Sequence, residues 1–315
     1  MIKNSSVPDA DLSNAGDDYH ILWSIQKCLD LLNFDEDGLK ALLIEGIETS
    51  LSSKLDPTGE KLLGIDLVEY YSSDNFEDAS EVIISQLKYS TRNAQKNLTF
   101  YTLYKGKKSK SSKGSIIHRL ADIYKVFLQN YGRETVQKKL KIKLISNRDF
   151  NESQLTAIKE VQENLQSLGK RISFNKILGK VNKYKKSLNK LMEASGLKVT
   201  EFSDFIRLLD FEDCGSGSRD ILRKELIRAI SDTSVVSKHQ FDGLTRTILD
   251  KMMPESKTNP KLTLTDVIAN LGFNNGSLEN LFPVPQHFEK LSNSVKREQL
   301  DDILTTADQL QEDGA

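Results

Sequence analysis

The sequence predicts an α/β fold over residues 1–150, with elements in the order α-β-β-β-α-β, followed by an α-helical domain over 151–315. Three observations carry this prediction. Apolar residues recur at helical spacing before position 33, strand-like runs cluster between 39 and 89, and helical periodicity dominates after about 150 with no convincing strand.

Residues 1–15 read as a polar lead-in without periodicity. A helix is predicted from about Asp17 to Leu32, where Leu22, Ile25, Leu29 and Leu32 share one side. Asn33 and the cluster Asp35-Glu36-Asp37-Gly38 break it. Leu39 to Ile47 reads as a buried strand carrying one acid, Glu45, and a polar loop with Pro57 and Gly59 follows. Gly64–Tyr71 and Val82–Tyr89 are β-branched and aromatic, as strands are. Ile116, Ile117, Leu120, Ile123, Tyr124, Phe127 and Leu128 form a helical stripe, and Lys139 to Leu144 alternates like a half-buried strand. In the second half, Gly215-Ser216-Gly217-Ser218 and the stretch from Pro254 to Pro260 read as turns between helices.

Composition narrows the class. With 38% hydrophobic and 28% charged residues, the chain resembles ordinary globular proteins, and a net charge of -1 says nothing about a polyanionic partner. Cys28 and Cys214 are far apart, which argues against a disulfide framework or structural zinc and for a reducing, cytoplasmic setting. No basic start followed by an apolar run suggests a signal peptide, and no membrane span is expected. A P-loop and the GxSxG and HExxH patterns are missing, and His20, His118, His239 and His287 lack ligand spacing. Among these histidines, His20 is the one on an N-terminal helix that could border a site.

The chemically informative residues are acids and one lysine in the strands. Asp66 falls near the start of the second strand, and Gln86-Leu87-Lys88 lies in the third. Alternation along a strand puts Gln86 and Lys88 on one face and Leu87 on the other. If the strands pair, Asp66 lies beside them, and Glu45 adds a second carboxylate. Carboxylate oxygens suit Mg²⁺, which keeps several waters and binds through one or two acids plus a substrate phosphate. A neighbouring lysine can hold the attacking water. The same residues also fit the exposed rim of any strand.

Residues 82–121 contain no acid but nine Lys or Arg, with Phe100, Tyr101 and Tyr104 interleaved. Arg92, Lys96, Lys105, Lys107, Lys108 and Lys110 are therefore candidate phosphate contacts. A solvated lysine loop fits them equally. A second acid-free stretch, 164–192, holds eight Lys or Arg. Its expected helix, Phe174 to Met192, sets Phe174, Ile177, Val181, Leu188 and Met192 opposite Lys176, Lys180, Lys183, Lys186 and Lys190. It is either a DNA-facing arm or a core-packed helix with a solvated lysine face.

Asp17-Asp18-Tyr19-His20 with Trp23, then Ile44-Glu45-Gly46, Gly64-Ile65-Asp66 and Gln86-Leu87-Lys88-Tyr89-Ser90-Thr91 resemble the double-stranded-DNA endonuclease domains of the PD-(D/E)xK superfamily. That group is related to Mrr-type restriction enzymes and to nuclease effectors of CD-NTase-associated antiphage systems. The resemblance covers roughly residues 16–146 and implies a restriction-endonuclease-like αβββαβ core around a mixed sheet. It implies catalytic Asp66, Gln86, Lys88 and Glu45, of which Asp66, Gln86 and Glu45 would hold Mg²⁺, with Mn²⁺ as a substitute. Gln86 stands where the superfamily name has an acid.

The function so implied is Mg²⁺-dependent cleavage of double-stranded DNA by an effector of bacterial antiviral defence. The helical half, with Leu281-Phe282-Pro283-Val284-Pro285 and Arg297-Glu298-Gln299, is similar to the segment leading into the NTPase module of STAND-type antiviral ATPases. It would link to a downstream sensor or NTPase, or mediate homo-oligomeric assembly. A non-catalytic nucleic-acid-binding or assembly module, and an RNA-directed nuclease, are the alternatives.

Overall fold

Strands that are apolar on both faces need cover on both, and here each face of one sheet carries a layer of helices. The computed structural model describes residues 9–32, 35–46, 64–106, 113–167, 174, 178, 181–233, 237–253 and 261–271. β1 (Leu39–Ile44), β2 (Leu67–Tyr71) and β3 (Glu81–Lys88) run antiparallel in sequence, and β4 (Leu140–Ser146) joins β3 in parallel. Two short strands complete the sheet. β5 (Leu209–Asp210) pairs parallel with β4 and β6 (Lys261–Thr263) antiparallel with β1, in the order β5-β4-β3-β2-β1-β6.

The helices are α1 (Asp9–Asp30), α2 (Phe100–Tyr104), α3 (Ile116–Lys139), α4 (Glu152–Ser167), α5 (Lys185–Ser195), α6 (Val199–Leu208), α7 (Arg219–Thr233), α8 (Ser237–Met252) and α9 (Leu264–Leu271). On one face, Val68, Val82, Ile84 and Ile142 pack with apolar residues of α2 to α6. On the other, Leu42, Leu67, Leu87 and Ile145 pack with α1, α7, α8 and α9. α1 is buried almost all round from Tyr19 to Ile25, since it lies between the sheet and α7–α8. Inside α3, Gly132 adopts φ 74, a left-handed conformation that kinks the helix where any other residue would be strained.

Several expectations are corrected. α1 begins at Asp9, not near Asp17, so residues 9–15 are helical rather than a polar lead-in. Extending a helix that packing already nucleates costs little. α3 runs past Leu128 to Lys139 and hands directly into β4. The helix expected from Phe174 to Met192 is not continuous, since Val181 is a bend, Asn182–Tyr184 form a short 3₁₀ turn and α5 begins only at Lys185. The expected strand-free second half is also corrected, because β5 and β6 belong to it. At two and three residues they are too short to leave a periodic signal. Both cores draw on both sides of position 150.

Candidate active site

The chain crosses one end of the sheet where β1, β3 and β4 finish and β2 begins, and this brings the candidate residues together. Continuing the β2–β3 register, in which Leu67 faces Ser85, sets Asp66 opposite Gln86. The Asp66 amide donates to the Ser85 carbonyl at 3.0 Å, and its carboxylate Oδ2 accepts from the Leu87 amide at 2.6 Å. Asp66 is thus tied into the middle of Gln86-Leu87-Lys88. It lies one residue before β2 rather than within it.

Glu45 likewise follows β1 instead of belonging to it. Its φ of 55 is left-handed, and with Gly46 at φ 104 it turns the chain out of the sheet beside Asp66. The Glu45 amide donates to the Asp66 carbonyl at 3.1 Å. Burial pushes the Glu45 carboxyl above its usual range, and the charges of Asp66 and Asp17 add to this while His20 works against it. His20 is buried on α1, with Nε2 2.7 Å from the Asp66 carbonyl oxygen and Nδ1 3.9 Å from the Glu45 carboxylate. The one histidine that position had singled out therefore joins the two carboxylate-bearing turns.

Gln86 is completely buried, and both polar atoms of its side chain are without a hydrogen-bond partner. Its alternation with Val82 and Ile84 directs it toward α3, away from the face that buries Leu87. A Cβ added to Gly64 would meet Gln86 Nε2 at 3.1 Å and Arg119 Cβ at 3.2 Å, so glycine admits these groups to one space. Arg119 Nε is buried without a partner as well. Sequence reading counted Arg119 only as one of many basic residues, and nothing short of the α3–sheet packing marks it as a neighbour of Gln86. Lys88 is half-buried at the end of β3, and its carbonyl accepts from Ser146 Oγ at 2.8 Å.

The second half closes this end of the sheet. Gly215 donates its amide to the Ser146 carbonyl at 2.8 Å, Ser216 Oγ meets Tyr19 Oη at 2.6 Å, and Arg219 and Arg223 both pair with Asp18. The predicted Gly-Ser turn is thus an anchor for the helix that carries His20.

The basic candidates divide. Arg92, Lys96 and Lys105 are exposed, and the segment bearing the first two is held by Arg148, which donates to the carbonyls of Lys96 and Asn97. Lys107, Lys108 and Lys110 lie outside the described residues, as do Lys176, Lys180, Leu281–Pro285 and Arg297–Gln299.

As a metal site, the cluster offers two carboxylates, Glu45 and Asp66, and an orphaned buried amide oxygen on Gln86. That donor set fits a hard cation. Among the described residues no group of three or more His, Cys, Asp or Glu side chains is arranged to hold a metal ion, so the amide would be needed to complete the set. Also among the described residues, no helix is long and apolar enough to cross a membrane. Compared with known proteins, the chain matches no family model and no curated protein.

Proposed function

We propose that this chain is a Mg²⁺-dependent endonuclease of the PD-(D/E)xK type acting on double-stranded DNA. The observation that carries the reading is the hydrogen bond from the Leu87 amide to the Asp66 carboxylate, which ties the acid to the strand bearing Gln86 and Lys88. The element order α1, three antiparallel strands, the short α2, α3 and a parallel strand is compatible with a restriction-endonuclease-like core that carries one added helical turn. The motif resemblance extends the proposal to an effector of bacterial antiviral defence.

In this reading Asp66, Glu45 and Gln86 would hold the metal, which supplies charge to offset the developing phosphorane and to acidify water. Burial raises the Glu45 carboxyl first, and Asp66 and Asp17 add to it; a cation beside these acids would favour their charged forms. Lys88 would hold the attacking water and favour its deprotonated form. The water would give up a proton to solvent as its oxygen bonds to phosphorus, and the bond to the sugar oxygen would break on the opposite side, that oxygen taking a proton from solvent. His20, bridging the Asp66 carbonyl and the Glu45 carboxylate, would keep the two acids in register.

Plasmid cleavage with Mg²⁺, with EDTA and with Asp66 variants tests this. Asp66→Asn keeps an acceptor for the Leu87 amide, whereas Asp66→Ala strands that amide at a cost of about 1–3 kcal/mol. Both should abolish cleavage, and Asp66→Asn should do so with nearly unchanged stability. Mg²⁺-dependent cleavage by a folded Asp66→Asn chain sinks the assignment.

A further inference from the structure

The two acid-free stretches, with residues 122–163 between them in the chain, meet on one surface. α2 packs against α5, and a run of contacts crosses between them. Lys105 Nζ sits 5.0 Å from the Tyr101 ring centroid, Tyr101 meets Tyr104 edge-on at 5.6 Å, and Lys190 Nζ lies 5.6 Å from the Tyr104 ring. Tyr101 stays 55% exposed despite these neighbours, the largest exposure of any large apolar or aromatic side chain described. Beyond Lys190, the exposed Lys183, Lys185 and Lys186 continue the positive surface along the start of α5. Residues 89–106 and 181–192 together contain seven Lys or Arg and no acid.

Lysines alone would suit any polyanion. A solvent-facing tyrosine among them, with the half-buried Tyr104 edge-on beside it, suits a narrower class, because an unpaired base offers a π-face that a duplex keeps stacked inside. We propose that the α2–α5 surface binds single-stranded DNA, with Tyr101 stacking on a base and Lys105, Lys186 and Lys190 neutralising its backbone. Only the choice of DNA over RNA rests on the nuclease reading.

Fluorescence anisotropy of a labelled oligothymidylate of about 15 nucleotides, in EDTA, measures this binding without any cleavage. Against it stand a hairpin duplex and an oligouridylate of similar length. The single strand of DNA should bind most tightly. Tyr101→Ala should weaken it about tenfold, roughly one base–aromatic stack, and Tyr101→Phe should restore it. Replacing Lys186 and Lys190 with Gln should flatten the salt dependence by about 0.7 per lost phosphate contact. Tyr101 is exposed, so circular dichroism of each variant should match wild type. The proposal is overturned by tighter binding of duplex or oligouridylate, by full affinity in folded Tyr101→Ala, or by an unchanged salt slope in the lysine variant. Because no metal is present, an inactive cleavage site leaves these outcomes unaffected.

Discussion

Within the candidate site, single atoms carry distinguishable roles. If Gln86 lends an oxygen to a metal, Gln86→Glu adds a charge next to the cation and should retain cleavage with tighter Mg²⁺ binding, while Gln86→Ala should lose far more. Lys88→Ala should fall near background with DNA binding intact. Loss of DNA binding in proportion to cleavage would make Lys88 one phosphate contact among many. Gly64 provides a test that removes no functional atom. A Cβ at Gly64 would lie 3.1 Å from Gln86 Nε2 and 3.2 Å from Arg119 Cβ, so Gly64→Ala makes these neighbours give by a few tenths of an ångström. A stability loss of about 1–3 kcal/mol, read from the urea midpoint, should accompany a larger loss of cleavage. Full activity in that variant would show that the position of Gln86 does not matter.

Between elements, the attachment of α1 to the sheet rests on an ion pair beneath the helix. Glu69 on β2 is wholly buried, and Lys27 Nζ lies 3.1 Å from it, while Tyr71 donates to the same carboxylate at 2.9 Å. Burial works against the Lys27 charge, but Glu69 and Asp30 outweigh it and raise its pKa above the ordinary value of 10.5. A raised ammonium pKa contributes stability that is complete below the unfolded value and lost as pH climbs through the folded one. Wild type should therefore lose stability on going from about pH 9 to about pH 11.5 more steeply than Lys27→Met. Tyr19, pushed up to about 12 by burial, adds to the alkaline loss in both proteins and cancels in the comparison. At neutral pH, Lys27→Met should cost about 3–5 kcal/mol, because Glu69 is left buried without its cation. Parallel stability curves for the two proteins would remove the pair from this role.

At the scale of the whole molecule, the sheet and both cores span the two halves of the chain. Leu222, Leu226 and Ile230 of α7 and Phe241, Leu244 and Ile248 of α8 cover the outer side of α1, and β6 protects the β1 edge. A chain cut after residue 150 would expose that surface and both sheet edges. It should unfold without a sharp urea transition and bind apolar dyes, whereas the full chain should unfold cooperatively. A steep, two-state transition for residues 1–150 alone would contradict this account.

What could be read from the sequence and what could not follow from the range of each signal. Alternation and helical stripes are local, and they sufficed for α1, the strands β1 to β4, α3, and the pairing of Gln86 with Lys88 on one strand face. Asp66 was expected beside that face only if the two strands pair; they pair antiparallel, and the Asp66 carboxylate accepts from the Leu87 backbone amide. β5 and β6 were not legible, because a two- or three-residue strand owes its existence to the edge it docks on rather than to its own pattern. Likewise only tertiary packing decided that Gly64 would bring Arg119 to Gln86, that His20 would join Glu45 to Asp66, and that Tyr101, Tyr104 and Lys190 would share a surface. The sequence by itself determined the longer periodic segments, α1, β1 to β4 and α3, and named the residues offered as candidates for chemistry. The tertiary structure decided which of them meet, because contacts between residues distant in the chain are set by the shape of the whole core.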